Sequence, residues 1–131
     1  MSAPRHRPSA PAPDRNGEAR IQAAIVEWVR IIAPDVLVFA VPNGGLRSKV
    51  EAARLKWCGV VAGVPDLCVI GPGGKAHFLE CKTPTGRLSD DQREIIAALG
   101  RLGSPFMTVT SIDDVRRAFS GWGIQTRESA R

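Results

Sequence analysis

Apolar residues recur early in the chain at Ile21, Ile25, Trp28 and Ile32, in steps of four, three and four. That spacing is one face of an α-helix, and it predicts a helix from Glu18 to Ile32 that stops before Pro34. Val36 to Val41 is short and continuously apolar, as a strand would be, and Pro42-Asn43-Gly44-Gly45 turns the chain. A second helix opens at Arg47 or Ser48 and runs to Cys58. It carries Val50, Ala53 and Trp57 on one face, Arg47 and Arg54 on another, and Lys49 and Lys56 on a third. A glycine-bounded linker, Cys58 to Gly63, leads into Leu67-Cys68-Val69-Ile70, the turn Gly71-Pro72-Gly73-Gly74 and a further run from Ala76 to Lys82. Two strand-forming runs around so strong a turn read as a β-hairpin.

Ser89-Asp90-Asp91-Gln92 has the form of a capping box, followed by the stripe Ile95, Ile96, Leu99 and Leu102 and a closing Gly103. Pro105 to Val109 reads as another strand, and Thr110 or Ser111 caps a last helix carrying Ile112, Val115 and Phe119. The order is therefore α, β, α, β, β, α, β, α. It predicts an α/β domain with a mixed sheet: the tight hairpin is antiparallel, and the helix-linked last strand returns parallel to its predecessor. Residues 1–17, rich in Pro, Ala and Arg, are expected to be a disordered tail, 18–121 the folded domain, and 122–131 a frayed end.

In such a hairpin Asp66 stands at the entrance of the first strand, beside the exit of the second, where Glu80 and Lys82 share a face and Cys81 takes the other. Two carboxylates offer the hard oxygen ligands that Mg²⁺ or Mn²⁺ prefers, and a lysine next to them can hold or deprotonate a water and stabilise a charged transition state. The chemistry this corner implies is metal-assisted phosphodiester hydrolysis. An ordinary turn and a solvated ion pair are the plainer alternative. Glu18 projects close to the apolar stripe of the first helix, where a cation would compensate it, or where it simply favours the helix dipole. Gln22 lies one turn on, beside the same stripe. His77 has the opposite parity to Glu80 and reads as structural.

A net charge of +5 suits a polyanionic partner, although Glu18 onward holds only +3 of it, so charge alone does not identify a DNA binder. Three cysteines without C-x-x-C spacing read as reduced thiols of a cytoplasmic protein. No apolar run approaches the ~20 residues of a membrane span, and no secretory signal is recognisable.

Pro65-Asp66, the hairpin and Glu80-Cys81-Lys82 resemble the signature of the PD-(D/E)XK nuclease superfamily. The longer ordered set of Pro42-Asn43-Gly44-Gly45, Gly59, Gly63-Val64-Pro65-Asp66-Leu67, Glu80-Cys81-Lys82 and Leu88-Ser89-x-x-Gln92 is similar to its VRR-NUC branch, over Glu18 to Phe119. The resemblance implies a restriction-endonuclease-like mixed four-stranded sheet flanked by helices, with a helical insertion between the first and second strands. It implies a Mg²⁺- or Mn²⁺-dependent endonuclease that cleaves branched DNA (Holliday junction, flap or fork) in DNA repair, with a phage or prophage origin expected. Asp66 and Glu80 would then be metal ligands, Lys82 would position or activate water, and Glu18 would join the metal or water shell. Gln92, already explained by capping, would face the active site. The insertion would lie beside that site, so Asn43, Arg47 and Lys56 would contact phosphates, as would Arg87 from the loop before the capping box. One small domain offers one site and a junction needs two cuts, so a homodimer is expected. A non-catalytic nucleic-acid-binding module on the same scaffold and a restriction-type endonuclease are the alternatives.

Overall fold

A computed structural model describes residues 15–42 and 48–129. Within them the chain forms α1 (Arg15–Ile32), β1 (Leu37–Ala40), α2 (Lys49–Trp57), β2 (Leu67–Ile70), β3 (Ala76–Cys81), α3 (Asp90–Leu102), β4 (Phe106–Val109) and α4 (Ile112–Trp122). The expected order of elements holds. The strands make one sheet in the order β1-β2-β3-β4, antiparallel across the first two pairs and parallel across the last. A short 3₁₀ turn at Pro72–Gly74 closes the hairpin, with the Gly71 amide donating to the Lys75 carbonyl at 2.9 Å. Gly73 and Gly74 sit at φ of 80° and 77°, a region that side chains with a Cβ avoid.

The core follows from strand alternation. Val38, Leu67, Val69, Leu79, Cys81 and Val109 are buried on one face of the sheet, against Ile25 and Val29 of α1 and Val115, Ala118 and Phe119 of α4. His77 lies on that face too. Its Nδ1 is 3.1 Å from the Val69 carbonyl and its ring stands 4.9 Å from that of Trp122, so its reading as structural is met. On the other face α3 packs against β4. Helix α3 starts with the full capping box at Ser89 and Gln92 and ends on Gly103 in the left-handed conformation, as its sequence predicts. None of the described helices is long and apolar enough to cross a membrane.

One expectation is corrected. The segment after Gly121 is not frayed as far as Ser129. Helix α4 continues to Trp122, Ile124 is only 5% exposed, and the Arg127 amide donates to the Ile32 carbonyl at 2.7 Å. The physical reason is a small aromatic layer in which Trp122 lies between His77 and Phe119, with Ile124 closing its edge. The apolar stripe of α2, by contrast, does not reach the core, and no residue of that helix is buried. The expected tail over residues 1–14 and the expected turn at 43–47 lie outside the described residues.

Phe119 is among the largest fully buried side chains. Phe119→Ala should therefore cost ~3–5 kcal/mol in urea unfolding, through lost burial and the cavity left behind. Val50→Ala, on the exposed α2 face, should change stability by no more than about 0.5 kcal/mol.

Candidate active site

The β2–β3 register pairs Leu67 with Leu79, and continuing it by one residue sets Asp66 directly opposite Glu80. Opposed positions on antiparallel strands bring their Cβ atoms to ~5 Å, so the two carboxylates are neighbours by register and need no long-range coincidence. The Val41 amide donates to the Asp66 carbonyl at 2.8 Å, extending the β1–β2 ladder to this point. The side chain of Asp66 is held as well: its Oδ2 accepts from the Cys81 amide at 2.8 Å.

Glu80 is 3% exposed, an uncommon place for a carboxyl. Its Oε1 accepts from Gln92 Nε2 at 2.8 Å, while the other end of that amide, Oε1, accepts from the Ser89 backbone N–H at 2.8 Å. Gln92 therefore performs both roles open to it in the sequence, capping α3 and reaching the acid pair. Lys82 follows β3, its amide bonded to the Val109 carbonyl at 3.0 Å. Its Nζ stands 3.8 Å from Glu18 Oε1 and 4.0 Å from Glu80 Oε1. At 9% exposure Lys82 is itself buried, an ammonium held between two acids from different elements.

Burial, and next the neighbouring Asp66 carboxylate, push the Glu80 carboxyl up to about 8, with Lys82 drawing it back and Glu18 adding to the rise. Burial and the same three acids push the Cys81 thiol up to about 12, which leaves it inert as a nucleophile. The corner carries more negative charge than its own lysine offsets. A hard divalent cation fits this donor set: Mg²⁺ commonly takes one or two carboxylates and completes its octahedron with water and substrate phosphate. Among the described residues no three His, Cys, Asp or Glu side chains converge into a closed cage. Glu18 shares the lining of this site with Asp66 and Glu80, its Oε1 3.8 Å from the Lys82 ammonium.

These groups open on a cleft of about 680 Å³. Its walls include Glu18, Gln22, Asp66, Glu80, Asp91 and Gln92, together with Ala40 to Pro42 and Ala62 to Val64. Lys82 reaches the site through Glu18 and Glu80. Two wall residues carry no such role in the sequence reading. Asp91 looks there like a first-turn acid that favours the α3 dipole. Gly63 looks like a linker boundary, yet a Cβ on it would fall 2.4 Å from the Asp91 backbone, and its φ is +90°. Only glycine lets this loop seat against the start of α3. Lys56 and Arg87 are exposed and outside the cleft wall, and Asn43 and Arg47 lie outside the described residues.

A mixed sheet flanked by helices, with an acid pair and a lysine at one corner, defines an α/β domain of the restriction-endonuclease-like, nuclease-bearing class. Within that class the chain belongs to the VRR-NUC domain family, whose model matches residues 16–113. A solved structure described as a VRR_NUC domain protein superposes with a TM-score of 0.66 at 24% identity, covering 83% of this chain and 90% of its own. Another, described as a VRR_NUC domain, gives 0.58 at 22% identity, covering 81% and 97%. No curated protein matches.

The raised Glu80 carboxyl sets a pH dependence for the metal-free protein. Its folded value of about 8 lies above its ordinary 4.5, so the folded state holds the extra proton. The stabilisation is complete below the ordinary value and is lost as pH rises through the folded one. Thermal melts from about pH 6 to about pH 9 in chelator should show wild-type Tm falling relative to Glu80→Gln, which keeps the Gln92 acceptor but has no proton to lose. Parallel curves would remove this account of Glu80.

Proposed function

We propose that this chain is a Mg²⁺- or Mn²⁺-dependent, structure-selective endonuclease that hydrolyses phosphodiester bonds in branched DNA. The observation that carries the reading is the Asp66–Glu80 pair opposed across β2 and β3, with Lys82 Nζ 4.0 Å from the second acid. A divalent ion held by those two carboxylates would lower the pKa of bound water and neutralise charge on the phosphoryl group. The rest is the work of the chain. Lys82 positions the attacking water and stabilises negative charge growing on the phosphoryl oxygens. Glu18 holds the Lys82 ammonium in place from α1, and Gln92 fixes the orientation of Glu80 from α3. The partial burial of the corner strengthens each of these interactions relative to water.

Family membership and a net charge of +5 support DNA as the substrate. Lys56 and Arg87, with Asn43 and Arg47, contact its phosphates in this reading, which positions the duplex without reading its sequence. Each chain offers one such corner and a junction requires two cuts, so the active form is a homodimer.

The test is a cleavage panel of four-way-junction, flap and fork DNA with Mg²⁺, Mn²⁺ or chelator. Wild-type protein should yield products only with metal. Asp66→Asn, Glu80→Gln and Lys82→Ala should each lower cleavage by at least about 10²-fold, while circular dichroism shows the fold retained. Undiminished cutting by clean Asp66→Asn protein, or cutting in chelator, would overturn the assignment. Binding without any product would point to a non-catalytic module.

A further inference from the structure

Helix α2 buries none of its residues, and Trp57 at its last position is 88% exposed, with Val50 at 81%. Tryptophan has more apolar area to hide than any other side chain, and packing alone does not select for leaving it in water. At 100° per residue, Val50 and Trp57 lie within about 20° of one another and Ala53 adjoins them. Lys49 and Lys56 flank this stripe on one side and Arg54 on the other, the guanidinium of Arg54 braced by Glu51 at 2.7 and 3.1 Å. The exposed face is thus a flat aromatic and small apolar groups, bordered by cations.

The place of the helix matters as much as its face. Both roots of the insertion, Val41-Pro42 and Ala62-Gly63, line the cleft that holds Asp66 and Glu80. Val60 and Val61, both exposed, are the large apolar residues of the short stretch between Trp57 and Ala62. The helix is thus tied by both its connections to the lining of the cleft, and its exposed face asks for a polyanion with a flat apolar face. A nucleobase next to its phosphates has that chemistry. In a continuous duplex those faces are stacked on one another. They are accessible where strands part, at a branch, flap or junction.

We propose that Trp57 stacks on an unpaired or unstacked base at the branch point of the DNA, with Lys49 and Lys56 on the adjoining phosphates, and that this contact sets the preference for branched over linear DNA. The proposal rests on the nuclease reading for its substrate and adds the residue that discriminates among DNA structures. Because every base presents a π face, the contact reads structure and ignores sequence.

The test uses the full chain in chelator, so that binding is measured without cleavage. Probes are a flap and a four-way junction with 2-aminopurine at the branch, and a linear duplex of the same length. Wild-type protein should change 2-aminopurine fluorescence on the branched probes. Trp57→Ala should abolish that change and weaken branched binding about tenfold, with linear binding altered by less than about twofold. Trp57→Phe should restore part of both, and Leu102→Ala, on the exposed end of α3, should behave as wild type. Equal affinity of Trp57→Ala and wild type for branched DNA would overturn the proposal. So would equal losses on branched and linear DNA accompanied by a shift from dimer to monomer in analytical ultracentrifugation, which would assign this face to a second copy of the chain. A Trp57-dependent signal from a protein that never cleaves in Mg²⁺ or Mn²⁺ would uphold the stacking contact while removing the nuclease reading.

Discussion

The pairing of β2 with β3 is the constraint on which the rest of the site depends. One register decides at once which residues enter the core and which face the cleft, because the side-chain period of a strand is two. Leu79 and Cys81 are buried against α1 and α4, and the alternation that puts them there sends Glu80 to the opposite face. A slip of one residue would bring a carboxylate into the apolar layer and a leucine to the corner. The hydrophobic core therefore enforces the opposition of Asp66 and Glu80. That opposition costs stability by itself, since like charges on directly opposed positions repel. The fold tolerates it at one place, where burial has raised the Glu80 carboxyl to about 8.

Elements far apart in sequence are drawn to this corner by single contacts. Glu18 comes from α1 through Lys82, and Gln92 from α3 through Glu80. Gln92 is notable for spending its two amide atoms on separate tasks, so that the helix start and the acid orientation are coupled in one side chain. Gly63 seats the loop between α2 and β2 against the same helix start, in a space no Cβ could share. Beyond the corner, α2 stands outside the core on two connections that both return to the lining of the cleft, which leaves its surface available for contacts other than folding.

Much of this was legible in the chain because the signals were local. The Gly71-Pro72-Gly73-Gly74 turn specifies the hairpin, and the hairpin specifies which residues oppose one another. The box at Ser89 and Gln92 announces a helix start without tertiary information. What escaped the reading depended on packing between distant segments. Trp122 lies between two glycines and Ile124 follows them, a stretch that looks terminal, and only the His77 and Phe119 rings explain why the chain continues in order. Asp91 looks like any first-turn acid until Gly63 packs against its backbone and Asp66 and Glu80 join it in lining one cleft. The α2 stripe has the spacing of a buried face, and periodicity cannot say which face the rest of the fold will cover. The projection of Glu18 from α1 says which stripe it borders, while its 3.8 Å contact with the Lys82 ammonium is a distance that spacing does not contain.

The central claim is that Asp66 and Glu80 together hold one divalent cation. Isothermal titration of the full chain with Mn²⁺ at a pH above about 8, where Glu80 has lost its proton, tests it without reference to any substrate. The account predicts one saturable site per chain in the wild type and none in Asp66→Asn. Identical Mn²⁺ isotherms for the two proteins would contradict it.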